Sequence, residues 1–391
     1  TFWKNLIAGK SAVDYITAFD PSPFPCKVAA EVRDFRPQDF MHARTVKITG
    51  RFSQFAIAAT RLALEDAGLT ITRDLASKVG VAYGTSGGAD VFEAAAREFL
   101  QGGVGAIRPW AALEYPPHTP SSYVAIEFKA HGPAISLTSN CCTGIDAIDL
   151  AARQIALGKV DVAIAGSTDG PISPVAFGTF CALGALSTRP CQPSAASRPY
   201  DLLRDGLVIS EAGATLILEH RDFALARGAH IYGEFLGYGA VSEAMGMRKG
   251  DLSGGVMATA LSVALTDAHL TPSDIDHINA HGSSLQDFDV CDSNAFKLAL
   301  GRRAHSVPIS SIKSMIGQPF SAAGTLQAVA ACLSIRDQQV PPTINQEFAD
   351  PACDLDYVPN ISRRARVRNV LLNGHSFGGS CSALILGAFR E

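Results

Sequence analysis

The chain predicts an α/β protein, and two observations carry that prediction. Apolar runs of strand length recur at 79–83, 134–138, 160–165, 214–218, 275–280, 307–310, 367–372 and 383–386. Between them lie segments whose apolar residues repeat with helical period. Strands alternating with helices build sheets covered by helices, rather than sandwiches or bundles. Neither a low-complexity linker nor a block of charge divides the 391 residues, so the chain is expected to pack as one body.

Period and stop signals justify the helices. Residues 52–66 read as a helix, and Gly68 just past its end is a C-terminal stop. Residues 256–268 and 322–337 read the same way. After the strand at 134–138, Ile145, Ile148, Ala151, Ala152 and Ile155 share one helical face, with Gly158 as the stop. The stretch 93–123, with Trp110, Tyr115, Pro116, Pro117 and Pro120, has little periodicity and reads as a long loop. A weak repeat links 79–88 with 277–284. Both are strands that break into small-residue loops, as duplicated halves would produce.

Composition narrows the function. A net charge of −4 and a pI near 6.2 argue against a nucleic-acid binder, which carries a basic excess. No apolar run reaches the length of a membrane span, and no signal-peptide pattern stands at Thr1. The nine cysteines are scattered, with only Cys141 and Cys142 adjacent and no CxxC pair, so no metal is expected. An odd count without a secretion signal predicts reduced thiols in a cytoplasm.

Four strand ends carry chemistry. Ser136-Leu-Thr-Ser-Asn-Cys-Cys-Thr-Gly144 runs from a strand through a polar turn into a helix, setting Cys141 at the helix N-terminus. Unpaired N–H groups and the helix dipole favour a thiolate there, and a thiolate is an acyl acceptor. Ile278-Asn-Ala-His-Gly-Ser-Ser284, Ser310-Ser-Ile-Lys-Ser-Met-Ile-Gly-Gln318 and Leu372-Asn-Gly-His-Ser-Phe-Gly-Gly379 each end an apolar strand in a small-residue loop. In α/β sheets such strand ends converge on the active site.

Taken together, the four segments resemble those of the β-ketoacyl synthases, the condensing enzymes of type II fatty acid and polyketide assembly. The resemblance extends to connecting text such as Ala196-Ser-Arg-Pro-Tyr-Asp201 and Val340-Pro-Pro-Thr-Ile-Asn345. It implies the thiolase fold, with two similar halves, each carrying a mixed five-stranded sheet, stacked as α-β-α-β-α. The halves are expected at 1–224, with the nucleophile, and 225–391, with His281, Lys313 and the Gly-rich loop. The family carries a first strand and a glycine turn ahead of the point at which this text begins. In the family, the stretch 93–123 lies at the dimer seam and helps line the substrate cavity.

The resemblance also assigns roles. Cys141 is the nucleophile, and Cys142 is packing, since a helix turn moves it off the catalytic face. The N–H groups of Cys141 and Phe377 bind the oxyanion, and Phe377 gates the acyl pocket. His281 stabilises the enolate of the extender. Lys313 belongs to the network behind the histidines, with Asp292, three residues past Asp289, as its carboxylate partner. The resemblance also places Ser283, Gly378, Gly379 and Asp292 among the substrate-binding residues.

Four departures stand out. Gln318 occupies the place of the second catalytic histidine; it donates a hydrogen bond but carries no proton or charge. Gln327, nine residues on, replaces a Glu. His375 and Ser376 replace a Phe and a Gly beside the gate. The imidazole of His375 is either a polar group satisfied within its loop, the favoured reading, or one moved toward Cys141. Leu285 replaces a Thr that holds the phosphopantetheine arm.

The expected function is acyl transfer onto Cys141 from an acyl carrier protein or coenzyme A thioester, then Claisen condensation with a malonyl-type extender. No bound cofactor is implied beyond the phosphopantetheine arm of the substrate. Partners are the carrier protein and a second subunit, as a homodimer or a ketosynthase heterodimer. Two alternatives stay open. One is acyl transfer or cyclisation without decarboxylation. The other is a chain-length-factor-like subunit, against which the pairing of Cys141 with His281 argues.

Overall fold

The structure is a computed structural model that describes residues 1–189 and 192–390. The N-terminal half contributes α1 (Arg51–Asp66), β1 (Val79–Gly84), α2 (Ala89–Gly102), β2 (Ala134–Leu137), α3 (Thr143–Ala156), β3 (Val162–Asp169) and β4 (Ala212–Glu219). The C-terminal half contributes β5 (Glu234–Ser242), α4 (Gly255–Asp267), β6 (His277–Asn279), α5 (Gln286–Leu300), β7 (Ile309–Ser310), α6 (Ala322–Asp337), β8 (Asn369–His375) and β9 (Ser380–Gly387).

The sheets repeat one topology. In the first, β2, β1 and β3 run parallel and β4 is antiparallel to β3. In the second, β7, β6 and β8 run parallel, β9 is antiparallel to β8, and β5 pairs antiparallel on the outer edge of β9. The repeated segments at 79–88 and 277–284 start in β1 and β6, which hold equivalent places, so the weak sequence repeat reflects a duplication.

One expectation is corrected. Among the described residues the first sheet has four strands, not five, because no strand corresponding to β5 pairs with the outer edge of β4. A groove of about 1110 Å³ runs beside that edge, lined by residues including Leu216, Leu218, Phe235 and Leu326.

The two central helices, α3 and α6, fill the space between the sheets. Ile145, Ile148 and Ala151 of α3 share one buried cluster with Ala328 and Ala331 of α6 and with Leu372 and Leu384 of the second sheet. The helices touch at their N-terminal turns through glycines. A Cβ on Gly144 would stand 2.4 Å from Thr325 N, and one on Gly324 would stand 2.5 Å from Ile145 N. Outside the sheets, Ala56 of α1 packs on β1 and β3 with Val79, Val81 and Ile164. On the other side, Leu261 of α4 and Phe296 of α5 cover the second sheet. The layers are therefore α-β-α-β-α.

The stretch 93–123 is more helical than expected. α2 covers its start, and a helix at Thr119–Phe128 covers its end. Phe92, Phe99, Leu100, Val104 and Leu113 of this stretch are exposed in the single chain.

Candidate active site

Cys141 lies in a tight turn, Asn140–Cys142, between β2 and α3. Asn140 holds φ +55, which turns the sulfur away from the strand direction. The thiol is 3 % exposed. Gln318 Nε2 donates to Cys141 Sγ at 2.9 Å. The expected ready thiolate is corrected here. Burial pushes the Cys141 thiol up to about 12, while the Lys313 charge and the Gln318 hydrogen bond pull it down and Asp169 adds to the rise. Loss of water is the largest influence on this thiol. Cys142 turns the other way and donates to Ser380 O of the second sheet at 3.2 Å.

His281 follows β6. Its backbone N–H donates to Asn373 Oδ1 (2.9 Å), and its Nδ1 accepts the backbone N–H of His375 (3.3 Å). Nδ1 is thus the acceptor and Nε2 carries the proton, with no protein partner. Burial, then the charge of Lys313, holds the ring well below its ordinary value, so the imidazole is neutral. Lys313 opens a short helix, Lys313–Ile316, and donates from Nζ to His281 O at 2.6 Å. Burial lowers it to about 8, against the attraction of the Cys141 sulfur and of Asp292 and Asp289.

The expected Lys313–Asp292 pair does not form. The Asp292 carboxylate is taken by Tyr200 OH (3.0 Å), Gly282 N (2.9 Å) and Asn373 Nδ2 (2.8 Å), which brace the loop of His281. Asp289 does the same for Ser283 N (2.9 Å) and Tyr200 N (2.8 Å). Asp292 is therefore buried behind the site rather than on a substrate path. Ser283 is also buried, and its hydroxyl faces the N–H of Leu285 at 3.4 Å.

Gln327 bridges the two strands that deliver the site, donating to Asn279 O (2.8 Å) and Asn373 O (3.2 Å). Phe377 lies in the turn between β8 and β9 and packs in one cluster with Cys141, Leu285, Phe320 and Ile209. Gly378 and Gly379 hold φ +92 and +81, where glycine is strongly favoured. Gly378 N–H donates to Met247 O at 2.9 Å.

His375 does not face the thiol. Its Nε2 lies 3.2 Å from Glu243 Oε1, and its ring stacks on Phe288 at 4.2 Å and 21°. Its partner thus comes from the end of β5, not from its own loop. Burial pushes the Glu243 carboxyl up, but the His375 contact and the Asp251 N–H outweigh it and hold the group below its usual range. Glu243, Cys291 and His375 bring donor atoms within 4.8 Å of one another. Burial raises the Cys291 thiol far above its usual value, so the set fits a packed imidazole–carboxylate contact beside a neutral thiol rather than a metal-binding thiolate.

Sequence reasoning missed Glu243 and Asp169. Asp169 ends β3 and Glu243 directly follows β5, each as a single acidic residue that reads as a surface position. Tyr200, which carries no chemical signal in its segment, stacks its ring on Tyr357 at 3.9 Å and donates from its hydroxyl to Asp292.

The model of the β-ketoacyl synthase N-terminal domain matches residues 1–224, and that of the C-terminal domain matches 232–347. The chain belongs to the β-ketoacyl synthase family. This family consists of condensing acyltransferases. The chain is 40 % identical over 385 residues to a 3-oxoacyl-acyl-carrier-protein synthase 2 of Coxiella burnetii, covering 98 % of this chain and 93 % of that one. It is 39 % identical to the tetracenomycin polyketide synthase ketoacyl synthase alpha subunit of Streptomyces glaucescens, covering 100 % of this chain and 93 % of that one. The ishigamide ketosynthase/chain length factor superposes with a TM-score of 0.93 at 34 % identity, covering 100 % of this chain and 94 % of the other. A type II polyketide ketosynthase solved with its acyl-carrier protein and a hexaketide gives a TM-score of 0.91 at 34 % identity, covering 100 % and 95 %. As a β-ketoacyl synthase, the chain has the thiolase fold seen in these structures.

Proposed function

We propose that this chain takes an acyl group from an acyl carrier protein onto Cys141 and condenses it with a malonyl-type extender. The observation that carries the reading is the Gln318 amide on the Cys141 sulfur, beside a neutral His281 whose Nε2–H has no protein partner. The Cys141 sulfur attacks the acyl thioester carbonyl. The oxyanion is held by the N–H groups of Cys141 and Phe377. Collapse breaks the bond to the carrier sulfur, which leaves with the thiol proton. Lys313 and Gln318 stabilise the sulfur as it gains charge.

The extender then loses its carboxylate as carbon dioxide. The electron pair of the broken C–C bond moves into an enolate, whose oxygen accepts from His281 Nε2–H and from Gln318 Nε2–H. The enolate carbon attacks the acyl-Cys141 carbonyl, the C–S bond breaks, and the sulfur takes up a proton. Retention of Cys141 together with His281 favours an enzyme over a non-catalytic partner subunit.

The dividing point at 224/225 belongs to the same reading, supported by the break between the two sheets. So does a dimer through the edge of β2, supported by exposed Ile135 on that edge and by the exposed apolar side chains Phe92, Phe99 and Leu100 of α2. The substrate arm is phosphopantetheine, and no other cofactor is part of the proposal. No helix among the described residues is long and apolar enough to cross a membrane. A cytoplasmic location is supported by the free thiols of all eight described cysteines.

The test is intact-protein mass spectrometry after incubation with a panel of acyl-carrier thioesters. The native protein and Cys142→Ala gain one acyl mass, and Cys141→Ala gains none. Loading that survives in Cys141→Ala and is lost in Cys142→Ala overturns the assignment.

A further inference from the structure

The residue that fixes Gln318 is neither in its own loop nor in its own half of the molecule. Gln318 opens an arc, Gln318-Pro319-Phe320-Ser321, that leads into α6. The start of the arc is held by Val208 and Ser210, since Gln318 N–H donates to Val208 O (2.7 Å) and Ser210 N–H donates to Gln318 O (3.1 Å). The middle is strained, because Phe320 holds φ +43 with its ring buried against Phe180 at 4.8 Å. A bulky residue keeps such a backbone only where its surroundings over-determine it.

The end of the arc is held by Asp169, the last residue of β3. Its Oδ2 accepts Ser321 N–H at 2.7 Å and Ser86 Oγ–H at 3.1 Å. Its Oδ1 accepts Ser86 N–H at 2.8 Å and Thr85 Oγ1–H at 2.9 Å. The hydroxyls of Ser86 and Ser321 share a further hydrogen bond at 2.9 Å. One buried carboxylate thus gathers the strand-end loops of β1 and β3 and the first turn of α6. Both of its oxygens receive a backbone N–H, so all the polar groups gathered there are satisfied by a carboxylate and by no amide. An asparagine would set its own NH2 against an N–H in either orientation.

We infer that Asp169 is a positioning residue that acts through Gln318, holding the strained arc so that the amide meets the Cys141 sulfur and the extender carbonyl. Asp169 touches no reacting atom itself. The inference rests on the role proposed for Gln318 above. A displacement of about 1 Å at a group of this kind costs up to about 100-fold in rate.

The experiment is a double-mutant cycle on the full chain, with release of carbon dioxide from malonyl carrier protein as the readout. The proteins are native, Asp169→Asn, Gln318→Ala and the double variant. Ser86→Ala, which deletes only the bridging hydroxyl, is taken through the same cycle in case Asp169→Asn does not fold by near-ultraviolet circular dichroism. Expected are a fall in kcat of about tenfold for Asp169→Asn, with KM held within about twofold. In the Gln318→Ala background the same substitution should have less than about a twofold effect. Native kcat in Asp169→Asn, or an equal loss in both backgrounds, overturns the inference while leaving the proposed function standing. A Gln318→Ala variant as fast as native overturns both the inference and the role of Gln318.

Discussion

Gln318 Nε2 and Cys141 Sγ stand 2.9 Å apart although 177 residues separate them in the chain. One leads into α6 and the other into α3, and those helices touch at Gly144 and Gly324. The contact gives the thiol a hydrogen-bond donor, but supplies no group that changes protonation near neutral pH. Replacement Gln318→His should therefore speed malonyl decarboxylation by at least tenfold, since a positioned acid or base contributes roughly 10²–10⁴-fold. Carbon dioxide release from malonyl carrier protein is the measurement, and equal rates in the two proteins would show the amide to be fully competent.

The buried thiol predicts a particular pH dependence. With Cys141 pushed up to about 12, its neutral form persists across the physiological range and the thiolate fraction rises tenfold per pH unit. Alkylation of Cys141 by iodoacetamide, read by peptide mass spectrometry, should climb steadily from pH 7 to pH 10. A plateau reached by pH 8 would mean that the helix end and Lys313 dominate over burial.

His375→Phe should leave condensation within about twofold of native, since the ring faces Glu243 and Phe288 and only the backbone N–H reaches His281. The same substitution strands the buried Glu243 carboxylate. Removing one partner of a buried pair costs about 3 kcal/mol, and Glu243→Gln in addition should recover part of it. Denaturant unfolding of the two variants measures the stability change. A turnover loss of tenfold or more in His375→Phe would put the imidazole into the chemistry after all.

Glu114 predicts a pH-dependent stability. It is buried with Oε1 accepting Gly50 N–H at 2.7 Å, and burial raises its pKa from 4.5 to about 8. A raised carboxyl is protonated in the fold, so its stabilising share is full below pH 4.5 and is lost as the pH rises to 8. Glu114→Gln keeps the acceptor and cannot ionise. The variant should match native protein in stability at pH 4 and exceed it at pH 8, by on the order of 4 kcal/mol. Equal melting at both pH values would refute the assignment.

Gly324→Ala should fail where helix propensity alone favours it. Alanine in a helix interior gains about 1 kcal/mol over glycine, yet here the added Cβ would stand 2.5 Å from Ile145 N. Loss of the folded protein, or of the Gln318–Cys141 contact with its decarboxylation rate, is expected. A fully active, more stable variant would show that the two central helices can part.

Much of the fold was legible because period and stop signals are local. The predicted helix at 322–337 coincides with α6, and Gly68 and Gly158 hold φ +58 and +64 past their helices, as stop residues should. β5 was not read, since Gly237 and Gly239 interrupt its apolar pattern. Those glycines are there because α4 lies against them: a Cβ on Gly239 would stand 2.3 Å from Ala260 O. α2 lies at the start of the stretch read as a loop, among prolines and aromatics that follow it without a period, and its Phe92, Phe99 and Leu100 are left uncovered by this chain.

The sequence by itself determined most of the elements and the nucleophile turn, because each is written in adjacent residues. Only the tertiary structure decided what those residues meet. Burial, which no single segment reports, turned Cys141 from an expected thiolate into a neutral thiol. Packing of β5 on β9 gave His375 a carboxylate from Glu243, and the meeting of β3 with α6 gave the Gln318 arc its anchor in Asp169. Desolvation and partner choice depend on which distant segments share a volume, and that is settled by the fold.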